Sequence, residues 1–282
     1  MLQAEVVAIG GAGVDRVFIA ADPVHLATSN PSRMEFSFGG GARNVAENLA
    51  RLGAKTALCS AIGDDDEGRG LVRALASAGC DVRGIVRRQA ERTAQYAAIL
   101  QPSGELFCGA SDTRVLDTIT CADLEEWLGV YADARWIFVE CNLPANVLHA
   151  CVARAATAPW HLAVGATSRA KVGALPADLS AIDVLFLSED ELQVLANANA
   201  RNVVVTRGSR GVLLHKNGTN VEIPAIAAAP VNVTGAGDAL AAGTIFGLLA
   251  DKPLEEAVAI GLRLAHDAVE SRSSVPSVGG GR

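Results

Sequence analysis

The stretch Asn232–Gly243, NVTGAGDALAAG, sets three small residues before an acid and a run of small, helix-compatible residues after it. This order predicts a tight turn at Gly235, Ala236 and Gly237 that leads into the N-terminus of a helix, with Asp238 in the first helical turn. The first backbone N–H groups of a helix have no intrahelical partners and lie at the positive end of the helix dipole. Such a place suits an anion, and small residues let the anion approach the backbone.

A carboxylate beside an anion site is what phosphoryl transfer to an alcohol requires. The carboxylate takes the proton of the alcohol, and the backbone donors hold the charge that develops on the phosphoryl group. The same residues also fit a plain helix start, at which Asp238 serves only the helix. This stretch alone leaves both interpretations open.

Composition and charge indicate one large α/β domain and argue against two classes of partner. The chain has 282 residues, of which 50% are hydrophobic and 4% aromatic, as suits parallel strands of small and branched apolar residues covered by helices. A net charge of −7 argues against the basic surface of a nucleic-acid-binding protein. We see no apolar run of membrane length and no signal peptide, so we expect a cytoplasmic protein without a membrane partner.

The six cysteines give no metal or redox signature. None stands in a CxxC pair or in a Cys/His cluster with zinc spacing, so free thiols in a reducing compartment are expected. The cysteines are Cys59, Cys80, Cys108, Cys121, Cys141 and Cys151.

Strand and helix patterns alternate along much of the chain, which predicts a mainly parallel sheet with helices on both faces. The predicted strands are Glu5–Ile9, Thr56–Ala61, Trp136–Glu140, His161–Val164, Val184–Leu187 and Val203–Thr206, and a hairpin joins Gly211–His215 to Val221–Ile223. The predicted helices include one through Val45, Leu49 and Leu52, one ending near Ser77, and Asp123–Tyr131, Ala145–Ala156, Glu189–Ala196, Asp238–Leu249 and Leu254–Glu270. Ligands of such sheets bind beyond the carboxyl ends of the strands, so Glu140, Thr206 and the turn before Asp238 are expected to meet in one crevice.

Two segments fall outside this alternation. Residues Asp15–Phe38 contain two prolines and a poor alternation of polar and apolar groups, which indicates a short hairpin or flap rather than core. Gln95–Leu100 and Leu106–Gly109 flank a Pro102–Gly104 turn, which predicts a hairpin. Together the two segments are expected to form a small sheet that stands off the main domain.

A second motif, GGGARNVAENLARLG at Gly39–Gly53, resembles the N-terminal signature of the PfkB, or ribokinase-like, carbohydrate kinases. NVTGAGDALAAG resembles the C-terminal signature of the same family, in the expected order. The resemblance implies a ribokinase-like three-layer α/β/α fold with a mainly parallel central sheet. It also implies a single domain over residues 1–282, with a small β lid formed by about 15–38 and 93–112.

The family phosphorylates an alcohol with ATP and a divalent cation, so the resemblance implies ATP and Mg²⁺. Within the family the chain is most similar to pseudouridine kinases, through Ser29–Pro31, Cys141–Pro144 and Asn232. The implied reaction is transfer of the γ-phosphoryl group to the 5′-hydroxyl of pseudouridine or a related nucleoside. Two alternatives stay open: a kinase for ribose or a ketose, and a catalytically weakened member that binds a nucleoside or nucleotide.

The resemblance also implies roles for individual residues. Asp238 would be the general base, with the anion hole at Gly235, Ala236 and Gly237. The substrate would contact Asp15, Gly40, Gly41, Asn44 and Asn142. ATP would lie against Ser188, Thr206, Gly208, Gly211 and Lys171, and Glu191 would hold magnesium through water.

Each of these roles has a plainer alternative in the sequence. Asn44 also fits a first-turn helix cap, Asp15 a turn residue, and Glu191 and Lys171 solvated surface residues. The chain departs from the family at Ser188, where relatives carry an asparagine, and at Gly165 and Ala166, where they often carry an Asp-Pro pair.

Two further properties are left open by the resemblance. Asn232 replaces an aspartate that is often tied to a potassium site, so activation by K⁺ is left open. Family members often pair through their lids, and an exposed strand edge offers that route to a homodimer.

Overall fold

The computed structural model describes residues 3–195, 197–229, 233–271 and 275. Its strands are β1 (Val6–Ile9), β2 (Gly13–Ala20), β3 (Ser32–Gly39), β4 (Thr56–Gly63), β5 (Ile85–Arg88), β6 (Ala94–Leu100), β7 (Leu106–Asp112), β8 (Trp136–Glu140), β9 (His161–Gly165), β10 (Val184–Ser188), β11 (Asn202–Thr206), β12 (Val212–Lys216) and β13 (Thr219–Ile223). Its α-helices are α1 (Gly41–Arg51), α2 (Asp66–Ser77), α3 (Arg114–Asp117), α4 (Cys121–Val130), α5 (Ala145–Ala155), α6 (Arg169–Val172), α7 (Glu189–Leu192), α8 (Ala236–Leu249) and α9 (Leu254–Val269).

The large sheet has the strand order β13-β12-β11-β10-β9-β8-β1-β4-β5. All neighbours from β11 to β5 are parallel, and β12 and β13 extend the sheet as an antiparallel hairpin. The carboxyl ends of the parallel strands therefore lie along one edge of the sheet. That edge carries Glu140, Ser188 and Thr206 as the last residues of β8, β10 and β11.

Alternate residues of the strands pack into two separate apolar layers, one on each face of the large sheet. In β1, Val7 and Ile9 pack on the side of α3, α4 and α5, whereas Val6 and Ala8 pack on the side of α1, α2, α8 and α9. This is the pattern expected for a parallel sheet with both faces covered. The predicted three-layer α/β/α architecture is confirmed.

Close helix packing fixes the position of α8, which carries the Asp238 motif. A Cβ atom added at Gly243 would lie 2.7 Å from the Cα atom of Gly261 in α9. A Cβ atom added at Gly261 would lie 2.3 Å from the carbonyl oxygen of Leu240. The two backbones can approach this closely only because both positions lack side chains, so α9 holds α8 firmly against the sheet.

The remaining strands form a small sheet in the order β3-β2-β6-β7. Strands β2 and β3 are antiparallel, as are β6 and β7, so both predicted hairpins are present. The two hairpins meet through a parallel pairing of β2 with β6. That register places Asp15 opposite Ser37 on one side and opposite Tyr96 on the other.

Several predicted element boundaries were wrong. The helix expected at Glu189–Ala196 ends at Leu192, and Ala196 itself lies outside the described residues. Strand β5 and the four-residue helices α3 and α6 were not predicted. Among the helices that the structure describes, none combines the length and apolarity needed to cross a bilayer.

Candidate active site

The two sequence motifs meet at the carboxyl edge of the large sheet. Helix α8 begins with Gly235 as its N-cap, at a φ of 83°, a left-handed conformation that glycine adopts without steric cost. Ala236 and Gly237 open the first turn, and Asp238 follows on the same turn. The predicted turn and helix start are confirmed, while Asn232 lies outside the described residues.

Asp238 is hydrogen-bonded to the Gly39–Gly53 motif. The amide Nδ2 atom of Asn44, in the first turn of α1, donates to Oδ2 of Asp238 at 2.8 Å. Burial raises the pKa of Asp238 to about 7, against the opposing effect of the Asn44 hydrogen bond and with smaller contributions from the nearby Glu140 and Asp15 carboxylates. The sequence gives no sign of this raised pKa, because the burial of Asp238 depends on residues from three distant elements.

Glu140 forms the centre of a buried hydrogen-bond cluster at the end of β8. Its Oε1 atom accepts from the backbone N–H of Gly11 at 2.5 Å. Its Oε2 atom accepts from Nδ2 of Asn142 at 2.6 Å and from Oγ1 of Thr167 at 2.7 Å. Burial raises the pKa of Glu140, and these three donors oppose that shift.

Sequence reasoning placed Glu140 at the crevice but gave it no role. The available signal was its position, an acid directly after four apolar residues that form a buried parallel strand. Asn142, predicted as a substrate contact, lies beside it and is tied to its carboxylate.

Asp15 enters the site from the small sheet, at the start of β2. A Cβ atom added at Gly39 would lie 2.2 Å from Oδ2 of Asp15. The neighbouring strand β3 therefore needs a residue without a side chain where it passes the Asp15 carboxylate. Burial raises the pKa of Asp15, and the positive charge of Arg43 opposes the shift. Asp15 therefore lies close to the first turn of α1, which contains Arg43 and Asn44.

The Gly39–Gly53 motif places backbone atoms, rather than side chains, between the carboxylates of Asp15, Glu140 and Asp238. Gly40 has a φ of 99°, and a Cβ atom added there would lie 2.4 Å from the carbonyl oxygen of Gly11. A Cβ atom at Gly41 would lie 3.4 Å both from Oδ1 of Asp238 and from Oε2 of Glu140. The predicted substrate residues are thus brought together around Asp238, with Glu140 added to them.

A cavity of about 790 Å³ lies beside the start of α8. Its lining includes the predicted nucleotide residues Thr206, Gly208 and Gly211 and the turn residues Ala236 and Gly237. Apolar side chains of α8 and α9, such as Leu240 and Leu262, complete the wall, together with His266 and Val269. The cavity wall thus combines the loop of Thr206, Gly208 and Gly211 and the start of α8 with apolar side chains of α8 and α9.

Ser188 and Glu191 are engaged with each other at the start of α7. The Ser188 hydroxyl accepts from the backbone N–H of Glu191 at 3.3 Å, and Oε2 of Glu191 accepts from the backbone N–H of Ser188 at 2.7 Å. This is a reciprocal capping box, and Glu191 is buried rather than solvated. Lys171 lies in α6, which contacts α7. Neither Ser188 nor Lys171 is among the residues that line the cavity.

The described ranges contain no group of three or more His, Cys, Asp or Glu side chains arranged to hold a metal ion. Glu191 follows Glu189 and Asp190 in α7 and belongs to no described group of side chains that could hold a metal without other ligands. A magnesium ion in such a place takes most of its ligands from phosphate oxygens and water.

The sequence profile of the pfkB family of carbohydrate kinases matches residues 3–278. The chain belongs to the pfkB carbohydrate kinase family. It is accordingly a phosphotransferase with an alcohol group as acceptor, and the predicted family is confirmed. A solved structure, a carbohydrate kinase from Agrobacterium tumefaciens, superposes on this member with a TM-score of 0.83 at 29% identity, covering 96% of this chain and 92% of that chain.

Two curated relatives differ in their substrates. A pseudouridine kinase from Escherichia coli (strain K12) is 29% identical over 270 residues, which cover 90% of this chain and 86% of that protein. An ATP-dependent ribose-1-phosphate kinase from Halopiger xanaduensis is 31% identical over 237 residues, which cover 79% of this chain and 77% of that protein. The relatives therefore agree on phosphoryl transfer and disagree on the alcohol.

Proposed function

We propose that this pfkB member is an ATP-dependent kinase that phosphorylates the 5′-hydroxyl of pseudouridine or a related nucleoside. The observation that carries the proposal is the position of Asp238, in the first turn of α8, hydrogen-bonded to Asn44 and directly after Ala236 and Gly237, which line the large cavity. A carboxylate in this place can accept a proton while the helix start holds an anion. The coverage of 90% of the chain by the pseudouridine kinase alignment supports the choice of a nucleoside.

Asp238 is assigned the role of general base. A pKa of about 7 lies near the operating pH, where a carboxylate is both ionised in good part and basic enough to take a proton from the attacking hydroxyl. Asn44 donates to one carboxylate oxygen, so a hydroxyl can approach the other. The general base is expected to supply about 10² to 10⁴-fold of the rate.

The turn Gly235–Gly237 is assigned the role of anion hole. The backbone N–H group of Ala236 makes a long bond of 3.4 Å to the carbonyl of Val233, and no preceding helical turn supplies carbonyls for the N–H groups that follow. Small residues leave this part of the backbone accessible. Negative charge that develops on the transferred phosphoryl group is stabilised by these donors and by the helix dipole. The protein needs little further chemistry, because positioning and charge neutralisation supply most of the rate of phosphoryl transfer.

The substrate sugar is assigned to the polar cluster beneath the small sheet. Asp15, Asn44 and Glu140 converge there with Asp238, and carboxylates and amides are suitable acceptors and donors for ribose hydroxyls. Asn142 and the backbone at Gly40 and Gly41 complete this face. Strands β2 and β6 place Asp15 beside Tyr96, so the base of a nucleoside would lie toward the small sheet.

The large cavity is assigned to ATP. Thr206, Gly208 and Gly211 line it, and apolar residues of α8 and α9 form a wall suited to a purine. Magnesium, when bound, neutralises phosphate charge, and Glu191 would hold it through water, with Ser188 and Lys171 nearby. The reciprocal bonds of Ser188 and Glu191 keep that carboxylate in a fixed orientation.

A sugar kinase is the second candidate, because the ribose-1-phosphate kinase relative shares 31% identity over 79% of the chain. Both candidates use the same base and anion hole and differ only in what occupies the face next to the small sheet. An ADP-release assay across pseudouridine, uridine, adenosine, ribose, fructose and ribose 1-phosphate, with and without K⁺, separates them. The proposal predicts the highest kcat/KM for a nucleoside. Turnover restricted to the free or phosphorylated sugars would overturn the nucleoside assignment and leave the base in place.

A further inference from the structure

Arg43, next to Asn44 in α1, is buried beside the proposed base, with 5% of its surface exposed. A guanidinium in such a place is costly unless its donors are paired. Both Nη atoms of Arg43 are paired, whereas its buried Nε atom has no hydrogen-bond partner among the described residues. Its Nη1 atom donates to the side-chain Oδ1 of Asn44 at 2.9 Å and to the backbone carbonyl of Phe38 at 2.9 Å. Its Nη2 atom donates to the carboxylate of Glu47, one turn further along the helix.

The bond to Asn44 determines which way the asparagine amide faces. An asparagine side chain can be turned by 180° with little change of shape, so its neighbours decide where the oxygen and the NH₂ group lie. Arginine has donors only, so the Asn44 atom that faces Arg43 must be the oxygen. The NH₂ group is then left facing the Asp238 carboxylate, as the 2.8 Å bond shows.

We propose that Arg43 is a positioning residue for the general base. It fixes the Asn44 amide with its donor toward Asp238, and through the Phe38 carbonyl it ties this pair to the end of strand β3 in the small sheet. The inference rests on the proposed function in one respect, the role of Asp238 as base. The arrangement itself is a property of the protein without substrate.

The charges around Asp238 give this positioning a measurable consequence. Glu140 from β8 and Asp15 from β2 both raise the pKa of Asp238, whereas the Asn44 hydrogen bond and the charge of Arg43 lower it. Loss of Arg43 removes one lowering influence directly and frees the Asn44 amide to turn, so that its oxygen can accept a hydrogen bond from the protonated Asp238 carboxyl and stabilise the neutral form. The pKa of Asp238 must then rise, and less of the base is ionised at pH 7.

Arg51 provides a matched control on the same helix. It also binds the Glu47 carboxylate, at 2.6 and 2.9 Å, but it lies eight residues from Arg43, about 12 Å along the helix axis. Arg51→Met therefore disturbs the Glu47 ion pair without reaching the Asn44 amide. If the role of Arg43 were purely structural, Arg43→Met and Arg51→Met would have similar effects on the pKa of Asp238.

The test is a ¹³C NMR titration of the Asp238 carboxyl in the free protein, assigned by its loss in Asp238→Asn. We expect Arg43→Met and Asn44→Ala each to raise the pKa by about 0.5 to 1, since one hydrogen bond is worth about 1 kcal/mol and one pKa unit about 1.4 kcal/mol. The pKa in the Arg43→Met/Asn44→Ala double variant should exceed that in Asn44→Ala only by the direct charge effect of Arg43, a few tenths of a unit, and Arg51→Met should titrate within a few tenths of the unaltered protein. An unchanged titration in Arg43→Met, or additive effects in the double variant, would overturn the proposal.

A second measurement avoids variants altogether and covers the case in which Arg43→Met does not fold. A neutron structure of the unaltered protein locates the deuterons of the Asn44 amide directly. The proposal requires them on the atom that faces Asp238, and an oxygen facing Asp238 would overturn it. Neither the NMR titration nor the neutron structure requires turnover. Both results would therefore stand even if the kinase assignment failed, and failure of the positioning role can be told apart from failure of the proposed function.

Discussion

Asn44 and Asp238 lie 194 residues apart in the sequence and are joined by a hydrogen bond of 2.8 Å between Nδ2 and Oδ2. This bond connects the two stretches that carry the family resemblance, one at the start of α1 and the other at the start of α8. Both helices pack on the same face of the large sheet, so the sheet and the α8–α9 contact set their separation. The proposed base is thereby oriented by the fold rather than by its own turn.

Asp238→Asn is predicted to lower kcat by about 10² to 10⁴-fold, the usual contribution of a general base. An amide has nearly the same shape and cannot take the proton, while the nucleotide cavity is unchanged. ATP affinity by isothermal calorimetry should therefore stay within a few-fold of the unaltered protein. Asp22→Asn, an exposed acid in the loop after β2, is the control and should keep full activity. Substantial turnover by Asp238→Asn would show that another group takes the proton.

The pH dependence of kcat/KM should reflect the raised pKa of Asp238. Only the ionised carboxylate accepts a proton, so activity should be half-maximal near pH 7 and fall about tenfold for each further pH unit of acidification. The measurement is a series of initial rates from pH 5 to pH 9 in buffers of constant ionic strength. Activity that stays constant down to pH 5 would contradict the assigned base or its buried environment.

The same raised pKa predicts that Asp238→Asn stabilises the protein at alkaline pH. The folded state binds the Asp238 proton more tightly than the unfolded state, so its ionisation weakens the fold as the pH rises from about 4 to about 7. Removing the charge should raise the free energy of unfolding by roughly 1 to 3 kcal/mol at pH 8, since one pKa unit corresponds to about 1.4 kcal/mol. Urea denaturation at pH 8, 6 and 4 should show this gain shrinking toward zero at pH 4. A gain that is the same at all three pH values would contradict the prediction.

Glu140→Gln should damage the buried cluster because it replaces an acceptor with a donor. All three observed partners of Glu140 donate to it, so the new NH₂ group must either face the Gly11 N–H or force the Asn142 amide and the Thr167 hydroxyl to turn and accept. Such a mismatch costs about 1 to 3 kcal/mol, which should appear as a lower Tm together with a higher KM for the alcohol substrate. Thr167→Val removes one donor and leaves the acceptor, so its effects should be smaller. Equal or larger effects of Thr167→Val would show that the Glu140 charge has no special role.

Gly261→Ala should destabilise the protein through the contact that positions α8. The added Cβ atom would lie 2.3 Å from the carbonyl oxygen of Leu240, and overpacking of this kind typically costs about 1 to 3 kcal/mol. Gly129→Ala in α4 is the matched control, because a Cβ atom there meets nothing within 4 Å. It should leave the Tm unchanged or raise it, since alanine favours a helix by about 0.5 to 1 kcal/mol. A Gly261→Ala variant as stable as Gly129→Ala would show that the two helices can separate without cost.

The parts of the fold that follow local patterns were predictable. Buried runs such as Trp136–Glu140 define parallel strands, and the rule that ligands bind at their carboxyl ends correctly brought Glu140 and the Asp238 turn into one crevice. The small sheet followed from its turn residues and prolines. The parallel pairing of β2 with β6 did not, because no local signal specifies which edges of two hairpins meet.

The properties of the site that depend on distant residues could not be predicted. The raised pKa of Asp238 comes from burial by elements far apart in the chain, with Glu140 and Asp15 adding their charges. The role of Arg43 was not predicted, because one arginine in a helical motif shows no sign that it is buried against Asn44, the Phe38 carbonyl and Glu47. Helix α7 ends at Leu192, within one turn of the Ser188–Glu191 capping box that begins it, and no local signal in the sequence marks that end.

The most direct test of the central claim is ³¹P NMR of a reaction containing the protein, ATP, Mg²⁺ and pseudouridine, with the Asp238→Asn variant run in parallel. The account predicts that the γ-phosphate signal of ATP is replaced by those of ADP and a nucleoside 5′-phosphomonoester, and that the variant gives neither within the same time. A phosphomonoester formed at equal rates by both proteins would contradict the role of Asp238. The absence of any nucleoside phosphate from the unaltered protein, with ATP bound, would contradict the proposed reaction.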